Sequence, residues 1–247
     1  MKKILLLLLF LPIISVFADE TEYRIGENEK GPQIFDGRGN RITDFKGMEL
    51  VENFFVSPDG TKMLVCHLPE NEAAYMITLY DLRNRKIVAE CEHSRWACRD
   101  VRWMKDCLIY IWATSGGGWR FEYRSYSSLE LKRCVTSYFP FEDLEDNILI
   151  DPEYQVSKEI VFYDFSNGET IKTVKCNDEL YPKLWASGEP KIKAAAESGK
   201  GIYANVMTIS NIRRTGRRKY RFDIDYIFFV EGDETGEERT AVLEVVL

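Results

Sequence analysis

A short strand, a polar turn and a returning strand recur through this 247-residue chain, and that recurrence limits the folds open to it. Residues 77–82 read Ile-Thr-Leu-Tyr-Asp-Leu, turn at Arg83-Asn84-Arg85 and return over 86–91. The unit reappears at 121–126 (Phe-Glu-Tyr-Arg-Ser-Tyr), with a turn at Ser127-Ser128 and a return over 129–134. It appears again at 160–165 (Ile-Val-Phe-Tyr-Asp-Phe), with a turn at Ser166-Asn167-Gly168 and a return over 170–176. An earlier copy is Gln33-Ile34-Phe35-Asp36, with 37–40 as turn and 41–45 returning. Thr78 to Glu122 spans 44 residues, Glu122 to Val161 spans 39, and Phe35 to Tyr80 spans 45. One such hairpin cannot bury its apolar face, whereas a stack of them can, and periods near forty residues mark propeller blades.

Each blade needs a leading pair of strands. Residues 53–56, the turn Ser57-Pro58-Asp59-Gly60 and residues 62–68 supply one. Proline presets φ in that turn and glycine tolerates positive φ, so the chain reverses there at little cost. Residues 100–103, the turn 104–106 and residues 107–112 supply the next. The third blade is abbreviated: 147–150 reads as a strand, and no second leading strand precedes Ile160.

The stretch Phe55-Val56-Ser57-Pro58-Asp59-Gly60-Thr61-Lys62, followed by Tyr80-Asp81-Leu82, resembles the WD40-like and TolB-type propeller repeats of bacterial exported proteins. The likeness is fullest over 53–91, partial over 100–134 and least over 147–176. The Trp-Asp dipeptide of WD40 repeats stands here as Tyr80-Asp81 and Tyr163-Asp164, and as Arg124-Ser125 in the middle copy. The resemblance implies a toroidal all-β fold used mostly for protein–protein contact, and it implies no particular chemistry.

The amino terminus reads as an export leader. Lys2 and Lys3 precede an apolar run over 4–17, and Val16-Phe17-Ala18 puts cleavage before Asp19. The run is short of the roughly 20 residues of a membrane span, and Pro12 interrupts it. The mature chain, 19–247, then reads as one exported, periplasmic or secreted propeller-like domain that does not span a membrane. A sub-boundary near 180–200 would divide off a C-terminal three-stranded sheet. Export makes disulfides chemically possible, and Cys66, Cys91, Cys98, Cys107, Cys134 and Cys176 are the candidates, as bridges or as buried free thiols. Their spacing suits neither zinc nor haem, and no other cofactor motif is present.

Residues 189–198 read as a short helix, with Ser187 a candidate cap and Pro190 suited to its first turn. Strands at 202–210, 219–230 and 239–247 follow, as a last blade or a separate sheet. In the second of them Tyr220, Phe222, Ile224, Tyr226, Phe228 and Val230 alternate onto one face. The opposite face changes from Arg221, Asp223 and Asp225 to Ile227 and Phe229, which predicts burial on both sides at that end.

With 31 basic against 40 acidic side chains after leader removal, the mature chain carries −9, which argues against a nucleic-acid partner. Against that acidic background, Arg213, Arg214, Arg217, Arg218, Lys219 and Arg221 place six positive charges within nine residues. The expected shape is a hairpin turning near Thr215-Gly216 whose guanidinium forks suit a carboxylate or phosphate partner. The same charges would be merely solvated if Asp223, Asp225 or the turn over 231–238 balanced them. Trp96, Trp103, Trp112 and Trp119 lie interleaved with Arg95, Arg99, Arg102 and Arg120. Trp103 and Trp112 read as core, and Trp119, after Gly116-Gly117-Gly118, as a binding candidate.

His67 and His93 are the chain's histidines, neither sits at a nucleophile elbow, and His67 reads as a core histidine. The function this predicts is an exported, non-catalytic module that binds a protein or an anionic envelope polymer. The alternative is a glycan or peptide hydrolase using carboxylates, such as Asp143, Glu145, Asp146, Asp151 and Glu153, in a central channel.

Overall fold

The computed structural model describes residues 22–70, 74–93, 98–115, 118–137, 145–153 and 158–247. The expected leader and its cleavage point before Asp19 lie outside the described residues, as do Arg95, Trp96, Gly116, Gly117 and Asp143.

Strands β1 (Tyr23–Asn28) and β2 (Gly31–Asp36) form a two-stranded ribbon. Four strands follow as a meander: β3 (Met48–Val56), β4 (Lys62–Pro69), β5 (Tyr75–Asp81) and β6 (Lys86–His93). A second meander comprises β7 (Cys98–Trp103), β8 (Leu108–Ala113), β9 (Trp119–Arg124) and β10 (Leu131–Ser137). The third sheet has β11 (Ile148–Glu153), β12 (Glu159–Asp164) and β13 (Thr170–Lys175). Helices α1 (Cys176–Ala186) and α2 (Pro190–Glu197) then lead into β14 (Ile202–Gly216), β15 (Lys219–Val230) and β16 (Glu237–Val246). Every sheet pairs its strands antiparallel and in chain order. The forty-residue repeat is therefore a series of propeller-like β-meanders, and the fold is all-β with two short α-helices among the described residues.

The sheets stack through successive apolar layers. Ile34, Phe45, Val51, Met63, Val65 and Tyr80 fill the space between the first ribbon and one face of β4 and β5. The alternate residues of the same strands, Leu64, Cys66, Ile77 and Leu79, pack with Val101, Leu108, Tyr110 and Trp112 of the second meander. Ile109, Ile111, Phe121 and Tyr123 leave that meander by its other face and meet Leu149 and Phe165. The third sheet turns Ile148, Ile150, Ile160 and Phe162 toward α1, α2 and the C-terminal sheet. β4 and β8 are thus apolar on both faces, because two layers use them.

The repeated aspartate is a turn device. Asp36 Oδ1 accepts from the amides of Arg38 and Asn40, Asp81 Oδ1 from that of Asn84, and Asp164 Oδ1 from that of Ser166. Ser125 takes the same place in the middle copy, its Oγ accepting from the Ser127 amide at 3.2 Å. A short side-chain acceptor of this kind closes the turn between the last two strands of each unit. Asp59 does likewise in the Ser57-Pro58-Asp59-Gly60 turn, and bonds from Ser57 and Thr61 hold its pKa down to about 2.

Four sequence expectations need correction. The first copy is built from β1 and β2, and the return over 41–45 shrinks to a single bridge, Phe35 to Arg41. Gln33 holds that segment instead: its side chain bonds the Phe45 carbonyl and amide and accepts from the Thr43 hydroxyl. Helix α1 occupies residues to which no helix was assigned, and Ser187 ends α1, while Glu189 precedes α2. The far end of β15 is half-buried on its second face, where Phe229 stacks on the exposed Tyr203. Finally, all six cysteines are free thiols. They are dispersed: Cys91 lies against the Leu129 carbonyl, Cys107 follows the β7–β8 turn, Cys134 is exposed on β10 and Cys176 opens α1. Cys66 and Cys98 approach one another beside the Tyr110 hydroxyl, and burial pushes the Cys98 thiol far above its ordinary pKa.

Candidate functional site

The two histidines are absorbed by polar networks between and within sheets. Glu122 on β9, 7% exposed, accepts from Arg124 Nε at 2.9 Å, Arg124 Nη2 at 2.7 Å and His93 Nε2 at 3.1 Å through Oε2. Its Oε1 accepts from Trp112 Nε1 at 3.1 Å. Burial opposes ionisation, but the bonds and charges of His93 and Arg124 outweigh it and hold the Glu122 pKa down to about 2. Arg124 Nη1 donates to the Leu129 carbonyl at 2.7 Å. This cluster joins the end of β6 to the middle of β9. In the other network Thr78 donates to Glu90 at 2.9 Å, so His67 Nε2, 2.8 Å from the same hydroxyl, carries the imidazole proton. His67 Nδ1 is buried without a partner, and desolvation lowers the His67 pKa to about 4.

The C-terminal sheet carries the exposed chemistry. Its helix-covered face is sealed by Tyr220, Phe222, Ile224, Tyr226, Phe228 and Val230, as the alternation predicts. β14 runs past Ser210 to Gly216, and β15 returns after Arg217 and Arg218, with Arg218 at φ 53. The six cations then separate by role. Arg214 turns inward and grips Asp146 with two bonds, Nε to Oδ2 at 2.9 Å and Nη2 to Oδ1 at 3.0 Å. The Arg218 amide donates to the same carboxylate at 2.8 Å, and this set holds the Asp146 pKa below the usual carboxylate range. Arg214 is therefore a clamp tying the ribbon to the third sheet, and Asp146 is committed to that clamp. Arg213, Arg217, Arg218 and Lys219 are exposed, and none has an ion pair among the described residues. Asp223 and Asp225 do not balance them: Asp223 accepts from Asn211, and Asp225 from Thr208 and Thr240.

On the open face, strand register sorts side chains into rows. Arg213 lies opposite Arg221, which lies opposite Glu244. Next come Ser210, Asp223 and Val242, and then Thr208, Asp225 and Thr240. Asn205, Ile227 and Glu238 follow, and Tyr203 with Phe229 completes the ladder. Like charges directly opposed across strands are destabilising, and the Nε of Arg221 is buried without a partner. Met207, Thr208, Asp225, Tyr226, Glu238, Arg239 and Thr240 line a cleft of about 460 Å³ in the middle of this face. Sequence reasoning counted Arg221 with the cation cluster and did not single out Tyr203 or Met207 on this face; the register that aligns the face depends on bulges in β14.

Trp119 opens β9, half-buried against the layer between the second meander and the third sheet. Trp112 is buried, as expected, and Trp103 is partly buried and stacked on Tyr126. Among the described residues no group of three or more His, Cys, Asp or Glu side chains could hold a metal ion. No helix among them is long and apolar enough to cross a membrane.

No protein-family profile and no curated protein matches the chain. Several solved structures resemble it distantly. An uncharacterized protein, lmo1340 of Listeria monocytogenes EGD-e, is 11% identical over 88% of this chain and 61% of its own, with a TM-score of 0.40. A eukaryotic initiation factor is 8% identical over 91% of this chain and 53% of its own, at 0.39. BamB from Moraxella catarrhalis is 10% identical over 83% and 60%, at 0.37. The chain thus spans less than two thirds of the length of each.

Proposed function

We propose that this protein is an exported, non-catalytic binding module that engages an acidic protein or an anionic envelope component through the tip of the β14–β15 ribbon. The leader-like sequence over 1–18 supports a periplasmic or secreted location. The observation that carries the reading is the division of labour among the arginines. Arg214 fixes the ribbon to Asp146, while Arg213, Arg217, Arg218 and Lys219 remain in solvent at its end. A clamped ribbon holds its cations in place before a partner arrives, so less ordering entropy opposes binding. Guanidinium forks meet carboxylates and phosphates in bidentate geometry.

The test is affinity capture from the envelope extract of the source cell. The mature protein is compared with a double variant, Arg217→Glu with Arg218→Glu, which spares the Arg214 clamp. A component retained by the first and lost by the second supports the reading. Equal retention by both, or none by either, refutes the ribbon tip as the contact.

A further inference from the structure

We infer that the open face of the C-terminal sheet is a docking surface for an extended polypeptide segment whose side chains run acidic, then basic, then apolar. The inference goes beyond the ribbon tip, because it rests on Arg221, Asp225 and Tyr203 and not on the turn residues Arg217 and Arg218.

The argument begins with what the face lacks. Arg213 and Arg221 oppose one another, Lys219 follows on the same face, and Arg221 Nε has no acceptor. Glu244 lies on the far side of Arg221, yet no ion pair joins them. A buried donor without an acceptor is costly, and a carboxylate placed between the two guanidiniums would satisfy the donor and neutralise the opposed charges. Two rows further on, about 14 Å at some 3.4 Å per residue, Asp225 sits in the cleft. Thr208 and Thr240 each use only one lone pair of that carboxylate, so it retains capacity for a cationic partner. The face then becomes apolar: Ile227 leads to the stacked Tyr203 and Phe229, whose rings lie 5.2 Å apart. Tyr203 and Met207 are 43% and 42% exposed on this same face.

The order of these rows selects the partner's class. A phosphate polymer attracted by Arg213, Arg221 and Lys219 would meet Asp223 and Asp225 within the next two rows and be repelled. An extended peptide presents alternate side chains to one face at the same pitch as the rows, so its charges can follow the sequence of theirs. Exposed pairs are weak and screened, so the complex should be salt-sensitive.

The experiment measures binding of two synthetic peptides of identical composition to the full mature protein by isothermal titration calorimetry. One reads Glu-Thr-Glu-Thr-Lys-Thr-Lys-Thr-Leu-Thr-Phe. The other exchanges the two glutamates with the two lysines, so that composition and net charge are unchanged. The first peptide should bind at least tenfold more tightly. Arg221→Gln and Asp225→Asn should each abolish that preference, whereas Lys86→Gln, which removes an exposed cation on β6 of the first meander, should leave it intact. Asp225→Asn retains the acceptor oxygen for the threonine hydroxyls, and an unchanged circular dichroism melt excludes misfolding. Equal affinity for the two peptides overturns the inference, as does tighter binding of polyphosphate than of either peptide. Failure here with loss of capture by the Arg217/Arg218 variant would leave the ribbon-tip reading standing.

Discussion

Replacing Glu122 by glutamine should cost this protein several kilocalories of stability and remove a defined part of its acid sensitivity. The carboxylate holds two guanidinium donors, one imidazole and one indole, and both Glu122 and Arg124 are 7% exposed. A pKa lowered from 4.5 to about 2, at about 1.36 kcal/mol per pH unit, corresponds to about 3 kcal/mol in favour of the ionised form. Glutamine leaves a buried guanidinium unpaired, which costs about 3–5 kcal/mol. Because the folded-state pKa is depressed, the contribution is complete above 4.5 and is lost as pH falls through about 2. Urea unfolding at neutral pH should therefore show Glu122→Gln less stable by about 3 kcal/mol or more. Its stability should also fall less between pH 4.5 and about 2 than that of the parent. The double variant Glu122→Leu with Arg124→Met removes both charges and should recover most of the loss, since apolar replacement of a buried pair is often neutral. A single variant within about 1 kcal/mol of the parent, or an unchanged acid slope, would show that the network does not hold the two meanders together.

Other perturbations address different layers. His67 is neutral when folded, with its pKa lowered from 6.5 to about 4, so stability should decline by about 3 kcal/mol as pH falls between those values. His67→Gln should flatten that segment of the urea-derived profile, and a persistent slope would assign it elsewhere. Gly168 has φ +69, and an added Cβ would lie 2.6 Å from the Tyr123 ring, so Gly168→Ala should destabilise by about 1–3 kcal/mol. Gly60→Ala, at φ +65 with open space around it, should cost less, and equal losses in the two thermal melts would contradict this contact. Arg214→Ala should speed hydrogen exchange at the Arg218 amide, which now donates to Asp146, and unchanged exchange would rule out the clamp.

The hairpins were legible because their signals are local. A strand period of two, a short polar turn and a side-chain acceptor at Asp81 or Asp164 need no knowledge of distant residues. The buried face of β15 was legible for the same reason. Helix α1 was hidden because Pro182 interrupts its interior and its buried positions are few, Cys176, Leu180 and Leu184, with Tyr181 half-buried beside them. The arginine cluster was visible, but its roles were not. Arg214 finds Asp146 from 68 residues away, and no pattern near either residue announces the pairing. Arg221 gained its importance only through the register that sets it opposite Arg213. Six cysteines suggested bridges, yet all are free: Cys66, Cys91 and Cys98 share one layer unbonded, Cys107 and Cys176 lie in two others, and Cys134 is exposed.

The consecutive strand order has a consequence for how the chain acquires its structure. Among the described residues no strand waits for a partner from beyond a neighbouring hairpin, so each meander can zip from its own turn with little loop-closure entropy. Hairpins close in about 1–10 μs, far faster than a chain is synthesised or exported. A polypeptide delivered amino terminus first would therefore build its sheets in sequence, each new one docking on the apolar face left by the last. The C-terminal sheet, together with α1 and α2, would arrive last and close the layer that the third sheet leaves exposed. Chain order and spatial order then coincide, and the stage most exposed to aggregation is the interval before β14 and β15 have paired.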